Sequence, residues 1–306
     1  MSPKRRLTTL IFLLHFTINV NSLTFSLLDR SDFLNKIINT FLISTTNIID
    51  DDSAICSKGA LVPEQAVPGA YSQVCMTLSE RIVPLSSGGD IVIRQEASGS
   101  GKTGMAVWNS GLVLTRILQH ISTQNPTWFS NKQIMELGCG TGLVSIVCHR
   151  LGAKSVLATD GNPDVVANAK RNLEMNKCDK ENAAARILQW GLLNAMDFSE
   201  SVDLVLGADL TYNSGSWRVL AESMEAVLKP NGACLYLSLG HEGFNVNAEV
   251  DGFLSVAEQV GLVQTSKLDG IEIPSVSSVL TPDEKNQLRQ SGGVRLVALK
   301  RKVLNR

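Results

Sequence analysis

Three glycines at alternate positions constrain this chain more than any other feature. Glu136-Leu-Gly-Cys-Gly-Thr-Gly142 continues the apolar run that begins at Ile134. A helical pattern follows from Leu143 to Leu151, and a second apolar run ends in Thr159-Asp160. The order is strand, glycine turn, helix, strand, then a carboxylate at the second strand's carboxyl end. A doubly wound sheet holds a nucleotide-like ligand at such a place, with the acid on the ribose hydroxyls. Glycine lets the backbone approach a ligand where a side chain would collide. The segment therefore reads as a site for a nucleoside-bearing cofactor.

The rest of the chain supplies the sheet that such a turn needs. Apolar runs predict strands at about 133–137, 155–159, 185–189, 202–208, 233–239, 262–268 and 294–300. Helices are expected at about 142–151, 163–176, 216–228 and 247–260. Pro163 opens one of them, and Pro230-Asn-Gly232 closes another. Alternation of this kind implies an α/β fold, a Rossmann-like seven-stranded doubly wound sheet with right-handed crossovers. Residues 269–292 are rich in Ser, Pro and Asp and read as an irregular insertion. Upstream, Arg81-Ile-Val-Pro84 and Asp90–Arg94 flank Ser86-Ser-Gly-Gly89 and predict a β-hairpin. A helix beginning near Met105 has Asn109 or Ser110 available as a cap.

Composition narrows the partners. The 306 residues are 44% hydrophobic, enough for one well-buried domain plus an extension. Basic and acidic residues number 28 and 29, and no long basic stripe is visible, which argues against a nucleic-acid footprint. Aromatics at 5% are too few for base-stacking platforms. The six cysteines, Cys56, Cys75, Cys139, Cys148, Cys178 and Cys234, include no CxxC pair, so neither zinc nor a disulfide framework is indicated. No metal site is expected.

The amino terminus divides from this body. Lys4-Arg5-Arg6 precedes the apolar Leu10–Leu14, and Val20 and Ser22 offer small residues before a cleavage point. Residues 1–22 read as a signal or organelle-targeting segment, too short to span a bilayer comfortably. Membrane contact is expected only through it. Residues 23–80 read as an N-terminal extension, with helical spacing over Phe33–Phe41 and a solvated break at Asp50-Asp-Asp52. Residues 81–306 form the expected catalytic domain.

Spacing separates the possible cofactors. Dinucleotide enzymes favour G-x-G-x-x-G, with a helix N-terminus against pyrophosphate. Here Gly138, Gly140 and Gly142 follow Glu136, and E-x-G-x-G-x-G resembles the first motif of the seven-strand S-adenosylmethionine methyltransferases. That cofactor has no phosphate to cradle. Its tail carries an ammonium, which a carboxylate such as Glu136 could orient directly or through water. A second segment, Asp203-Leu-Val-Leu-Gly-Ala-Asp-Leu-Thr-Tyr212, is a buried strand ending in Ala208-Asp209 with Tyr212 three residues on. In this architecture it lies beside the first strand, so Asp209 emerges at the edge that carries the glycine turn. A carboxylate there can hold an incoming amine, and the tyrosine hydroxyl can accept or donate at the same centre.

Together these pieces resemble methyltransferase family 16, the seven-strand protein lysine methyltransferases. The resemblance rests on Gly104-Met-Ala-Val-Trp108, Glu136–Gly142, Thr159-Asp-Gly-Asn162, Trp190-Gly191 and Asp209–Tyr212, and covers about residues 80–303. It implies S-adenosylmethionine as cofactor and a protein substrate bearing the target lysine. It further implies that Trp108 and Trp190 line the cofactor pocket and that Asp209 and Tyr212 face the substrate. Ala208 is placed with the cofactor residues Glu136, Gly138, Gly140, Gly142 and Asp160. A monomer is expected. The family points to the cytoplasm, whereas residues 1–22 point elsewhere.

Three alternatives stay open at this point: a small-molecule methyltransferase on the same fold, a nicotinamide-dependent oxidoreductase and a non-catalytic cofactor-binding protein. The oxidoreductase is disfavoured by the early third glycine and by the lack of a Tyr-x-x-x-Lys pair. Asp209 could also serve as a helix cap instead of meeting substrate.

Overall fold

A computed structural model describes residues 79–86, 88–96, 103–240, 245–290 and 292–302, all within one compact unit, Asp52–Arg306. The expectations for residues 1–22 and for the extension up to residue 78 lie outside the described residues. Among those described, no helix is long and apolar enough to cross a membrane.

A seven-stranded sheet organises the unit. In chain order its strands are β3 Gln133–Leu137, β4 Ser155–Asp160, β5 Ala183–Ile187, β6 Val202–Ala208, β7 Leu228–Leu239, β8 Leu262–Thr265 and β11 Val294–Arg301. Across the sheet they run β5-β4-β3-β6-β7-β11-β8. All neighbours are parallel except β11, which is antiparallel to both β7 and β8. The smaller hairpins are β1 Glu80–Pro84 with β2 Asp90–Arg94, and β9 Lys267–Leu268 with β10 Ile271–Glu272.

The period of two along each strand sends alternate residues to opposite faces. Ile134, Leu204, Leu206, Leu235 and Leu237 bury against α1 (Asn109–Gln124) and α2 (Leu143–Arg150). Met135, Leu137, Val205, Cys234 and Tyr236 bury against two helices on the other side, Trp217–Val227 and Val246–Gln259. Both faces are covered, which is why the central strands read as nearly continuous apolar runs. In chain order the remaining helices are α3 Pro163–Met175, α4 Leu192–Ala195 and α7 Pro282–Gln290, so the two far-side helices are α5 and α6.

The hairpin solves an edge problem in an unusual way. The outer edge of β2 meets a row of asparagines on α3 and just beyond it, at helical spacing. Asn176 exchanges two hydrogen bonds with Val92, at 3.1 and 2.8 Å. Asn172 accepts from the Arg94 amide at 2.8 Å and donates to the Arg94 and Thr141 carbonyls at 3.0 and 2.8 Å. Asn168 adds a bond to the Arg94 carbonyl at 3.1 Å. Carboxamide side chains therefore take the place of a neighbouring strand, and the edge is closed to pairing with another chain.

Four details differ from the sequence expectations. Strand β5 begins two residues early, at Ala183, because Ala183–Ala185 pair with β4 although alanine is a poor strand former. The Pro230-Asn-Gly232 break lies inside β7, as an irregularity between the Val202–Leu228 and Leu204–Ala233 pairs. Helix α1 takes no side-chain cap from Asn109 or Ser110, since the extended Trp108 occupies the N-cap position. The stretch 269–292 holds a hairpin strand, a 3-10 turn and α7. Thr281-Pro-Asp-Glu284 is a capping box: the Thr281 hydroxyl accepts from the Glu284 amide, and the Glu284 carboxylate accepts from the Thr281 amide. Both Glu284 carboxylate oxygens also accept from Arg116 Nη1, at 2.9 and 2.8 Å, which fastens this stretch to α1.

Asn172 is fully buried, and its amide serves both donor and acceptor partners. Replacing it with alanine removes the Asn172 partner of the Arg94 amide and the Thr141 carbonyl, while the Arg94 carbonyl keeps Asn168, and each group stranded costs about 1–3 kcal/mol. Asn172→Ala is expected to lower the urea midpoint clearly, and Asn172→Asp, which keeps the acceptor and loses the donor, to recover only part of the loss. Unchanged midpoints would refute the strand-mimic role.

Candidate active site

The carboxyl ends of β4, β3 and β6 lie side by side, and each opens into a segment singled out above. Between β3 and α2 the glycine turn is tied to β4 by the Cys139 amide, which donates to the Thr159 carbonyl at 2.8 Å. Gly138 and Gly140 have φ of +61° and +52°, a left-handed backbone that side chains resist. A Cβ on Gly138 would meet the Leu210 side chain at 2.5 Å and the edge of Trp190 at 3.5 Å. One on Gly140 would meet the Gly104 carbonyl at 3.2 Å. The glycines thus admit the protein's own segments as well as any ligand. Those segments are the 3-10 turn Thr103–Met105 leading into Trp108, and the loop after β6.

Glu136 shares a face of β3 with Ile134, so it points toward the start of α2. Its Oε2 accepts from the Ser145 amide at 2.9 Å and the Ser145 hydroxyl at 2.5 Å. The amide is one of the unpaired donors of the helix's first turn, so Glu136 caps α2 from outside. The residue is 3% exposed. No described cation pairs with it. Burial pushes its carboxyl up to about 8, the nearby Asp160 adds to the rise, and the Ser145 bonds oppose it. The sequence reading gave Glu136 only a ligand-orienting role; the helix cap was missed because the Ser145 partner lies one turn into α2.

Asp160 ends β4. Its carboxylate accepts from the Gly140 amide at 3.3 Å and the Asn162 amide at 3.0 Å. Burial raises its pKa, with backbone bonds from Asn162, Gly140 and Gly161 working the other way. Asn162 caps α3, accepting from the Asp164 amide. Trp108 donates from its indole nitrogen to the Thr103 carbonyl at 2.8 Å, which closes the turn lying on Gly140. Ala208 is the last residue of β6 and pairs with Leu237.

Asp209 follows in a left-handed conformation, φ +60°. Its amide donates to the Leu237 carbonyl at 2.7 Å. Its Oδ1 lies 3.4 Å from both the Ser238 hydroxyl and the Leu239 amide. Among the described helices it is the N-cap of none, and Asn213 serves the 3-10 turn Ser214–Ser216 that precedes α5. Tyr212 is 61% exposed at the end of the same loop. Leu210, between them, covers both Gly138 and Gly207. Sequence reasoning passed over Leu210, and over Tyr236, Ser238 and Glu249 around the loop. A tyrosine inside a buried strand was the available signal, since its hydroxyl must find a partner.

A family profile described as lysine methyltransferase matches residues 87–244, just over half of the chain. Protein-lysine N-methyltransferase EFM3 of Chaetomium thermophilum is 29% identical over 192 residues, which cover 55% of this chain and 56% of that protein. Protein-lysine methyltransferase METTL21E of Mus musculus is 38% identical over 125 residues, covering 39% and 49%. Histidine protein methyltransferase 1 homolog of Rattus norvegicus is 26% identical over 215 residues, covering 60% and 59%. The chain therefore spans about half the length of these curated relatives.

One pH effect follows from the buried carboxyl. Glu136 is raised in the folded protein from an ordinary value of 4.5 to about 8. The folded state then holds a proton that the unfolded state has released between those two values. Stability from this group is full below pH 4.5 and falls as pH climbs through that window. Glu136→Gln, whose carbonyl can still accept from Ser145, should flatten the decline in melting temperature between about pH 5 and 8. Parallel profiles for the two proteins would contradict it.

Proposed function

We propose, on the premise that this chain belongs to the lysine methyltransferase family, that it transfers a methyl group from S-adenosylmethionine to a lysine side chain of a protein. The observation that carries this reading is the placement of Asp209. It stands at the carboxyl end of β6, next to β3 and its glycine turn, with an exposed tyrosine three residues away. We propose residues 81–306 as the methyltransferase domain.

The residues suit the cofactor. Glu136 is a buried carboxyl whose hydrogen bonds to Ser145 use one oxygen, and a ligand ammonium beside it would favour its ionised form. Asp160 is a strand-end carboxylate already oriented by backbone amides, as ribose hydroxyls require. The Gly138–Gly142 turn would carry the backbone past the ligand, and the edge of Trp190 against Gly138 supplies an apolar wall. Trp108 and Ala208 complete the proposed set. Bound S-adenosylmethionine supplies an electrophilic methyl on a sulfonium.

The chain's own residues then have to present a neutral amine. A free lysine has a pKa of about 10.4, so the ammonium arrives first. Asp209 attracts and aims it. A carboxylate stabilises the charged form, so Asp209 opposes loss of the proton instead of promoting it. The proton leaves to water or through the hydroxyl of Tyr212, an exposed residue. Acceleration comes mainly from proximity and alignment, which can supply roughly 7–11 kcal/mol.

Asp209→Ala is expected to abolish transfer while cofactor binding survives. The check is labelled methyl from S-adenosylmethionine offered to a cell extract, with binding followed by calorimetry. A discrete labelled protein with the wild type and none with the variant supports the reading; equal labelling would overturn it. Hydrolysis of the labelled protein then separates methyl-lysine from methyl-histidine, and label confined to small molecules points to the other substrate class.

A further inference from the structure

The loop that carries Asp209 and Tyr212 is held by a directed chain of hydrogen bonds ending on Glu249, in the first turn of α6. Thr211, within the loop, is fully buried. The Tyr236 phenol, rising from β7, accepts from the Leu210 and Thr211 amides, both at 3.2 Å. The same phenol lies 2.6 Å from the Thr211 hydroxyl. That hydroxyl donates to Glu249 Oε1. Ser238 Oγ, 3.1 Å from Glu249 Oε1 and 3.4 Å from Asp209 Oδ1, stands between the two carboxylates. On the outer side, the Trp217 indole donates to the Thr211 carbonyl at 2.7 Å.

Counting protons fixes the direction. Each hydroxyl has one hydrogen to give, and a carboxylate gives none. The Thr211 hydroxyl gives its one hydrogen to Glu249. Across the 2.6 Å contact the Tyr236 phenol is therefore the donor and the Thr211 oxygen the acceptor. Burial raises the Tyr236 pKa, so the phenol keeps its proton. If Glu249 were absent, the Thr211 hydroxyl would lose the acceptor it uses, and the phenol oxygen beside it already takes two amides. One of the two amides or the hydroxyl would be left unpaired in a dry site, and the loop would have a reason to shift.

We propose that Glu249 is a positioning residue for methyl transfer: through Thr211 and Tyr236 it holds the Asp209–Tyr212 loop in the geometry that aims the incoming amine. The proposal rests on the reading of Asp209 and Tyr212 as the substrate-facing pair. Glu249 acts as a hydrogen-bond acceptor and not as a charge, and this distinguishes it from a residue that touches substrate.

The test compares Glu249→Ala, Glu249→Gln and Thr211→Val, singly and with Glu249→Ala combined with Thr211→Val. Three readouts are needed: initial rate of labelled methyl transfer to extract protein, affinity for S-adenosylmethionine, and amide hydrogen exchange at Leu210 and Thr211. Glu249→Ala should slow transfer by about tenfold or more, as expected when alignment is lost, with cofactor affinity unchanged. The Leu210 and Thr211 amides should exchange faster by a similar factor, while the Asp209 amide, bonded to Leu237, stays protected. Glu249→Gln should retain wild-type behaviour, because its carbonyl can accept from both hydroxyls. Thr211→Val should match Glu249→Ala, and the double variant should lose no more than either.

A wild-type transfer rate in Glu249→Ala would overturn the proposal. So would unchanged exchange at the two amides, a Glu249→Gln as slow as Glu249→Ala, or losses that multiply in the double variant. A wild-type protein that labels no protein at all would instead count against the proposed function, and the exchange measurement would still decide whether Glu249 anchors the loop.

Discussion

The rest of this site depends on one close approach, that of the Gly138–Gly140 backbone to Leu210 on one side and Gly104 on the other. There is no room for a Cβ at Gly138 without moving Leu210, whose side chain would lie 2.5 Å away. Leu210 is also the residue between Asp209 and Thr211. The turn assigned to the cofactor and the loop assigned to the substrate therefore share one packed side chain. On the other side, Gly104 rests on Gly140, and the segment it begins ends at Trp108 and α1. Three stretches distant in sequence are fixed relative to one another by contacts that tolerate little adjustment, because packed interiors resist displacement.

That packing explains what the sequence could and could not convey. Strands β3, β4 and β6 were legible because burial on both faces makes them unbroken apolar runs. The doubly wound architecture set β6 beside β3, and with it the meeting of the Glu136–Gly142, Asp160 and Asp209 segments at one edge. Strand β5 was displaced by its alanines, which carry a helical signal that pairing to β4 overrides. The capping box at Thr281–Glu284 was legible in principle but lay in a stretch whose Ser and Pro content suggested loop. The asparagine row on α3 was not legible. Its residues read as an ordinary polar face until β2 is set against them.

Glu136 shows the same limit in a single residue. Spacing marks it as part of a cofactor motif, and the motif says nothing of the helix it caps. The two roles are compatible, since the carboxylate's hydrogen bonds to Ser145 use one oxygen. They also share a cause. A carboxyl buried in the first turn of α2 meets the positive end of the helix, which offsets some of the cost of ionising it.

Two carboxyls at this edge are held by neutral donors. Glu136 takes the Ser145 amide and hydroxyl, and Asp160 takes backbone amides. Among the described residues no salt bridge involves Glu136 or Asp160. Neutral donors orient a carboxyl without supplying a compensating charge, so ionising both Glu136 and Asp160 is costly where their strand ends converge. Asp160 already raises the cost of ionising Glu136. A ligand bearing positive charge would relieve that repulsion on binding, and a neutral or anionic one would not. The proposed donor is cationic at its sulfonium and its ammonium, and the proposed acceptor arrives as a lysine ammonium. After transfer the sulfonium charge is gone from the donor, so the attraction that favours binding weakens once the methyl has moved. On this electrostatic argument, the proposed cofactor would be held more tightly before transfer than after it.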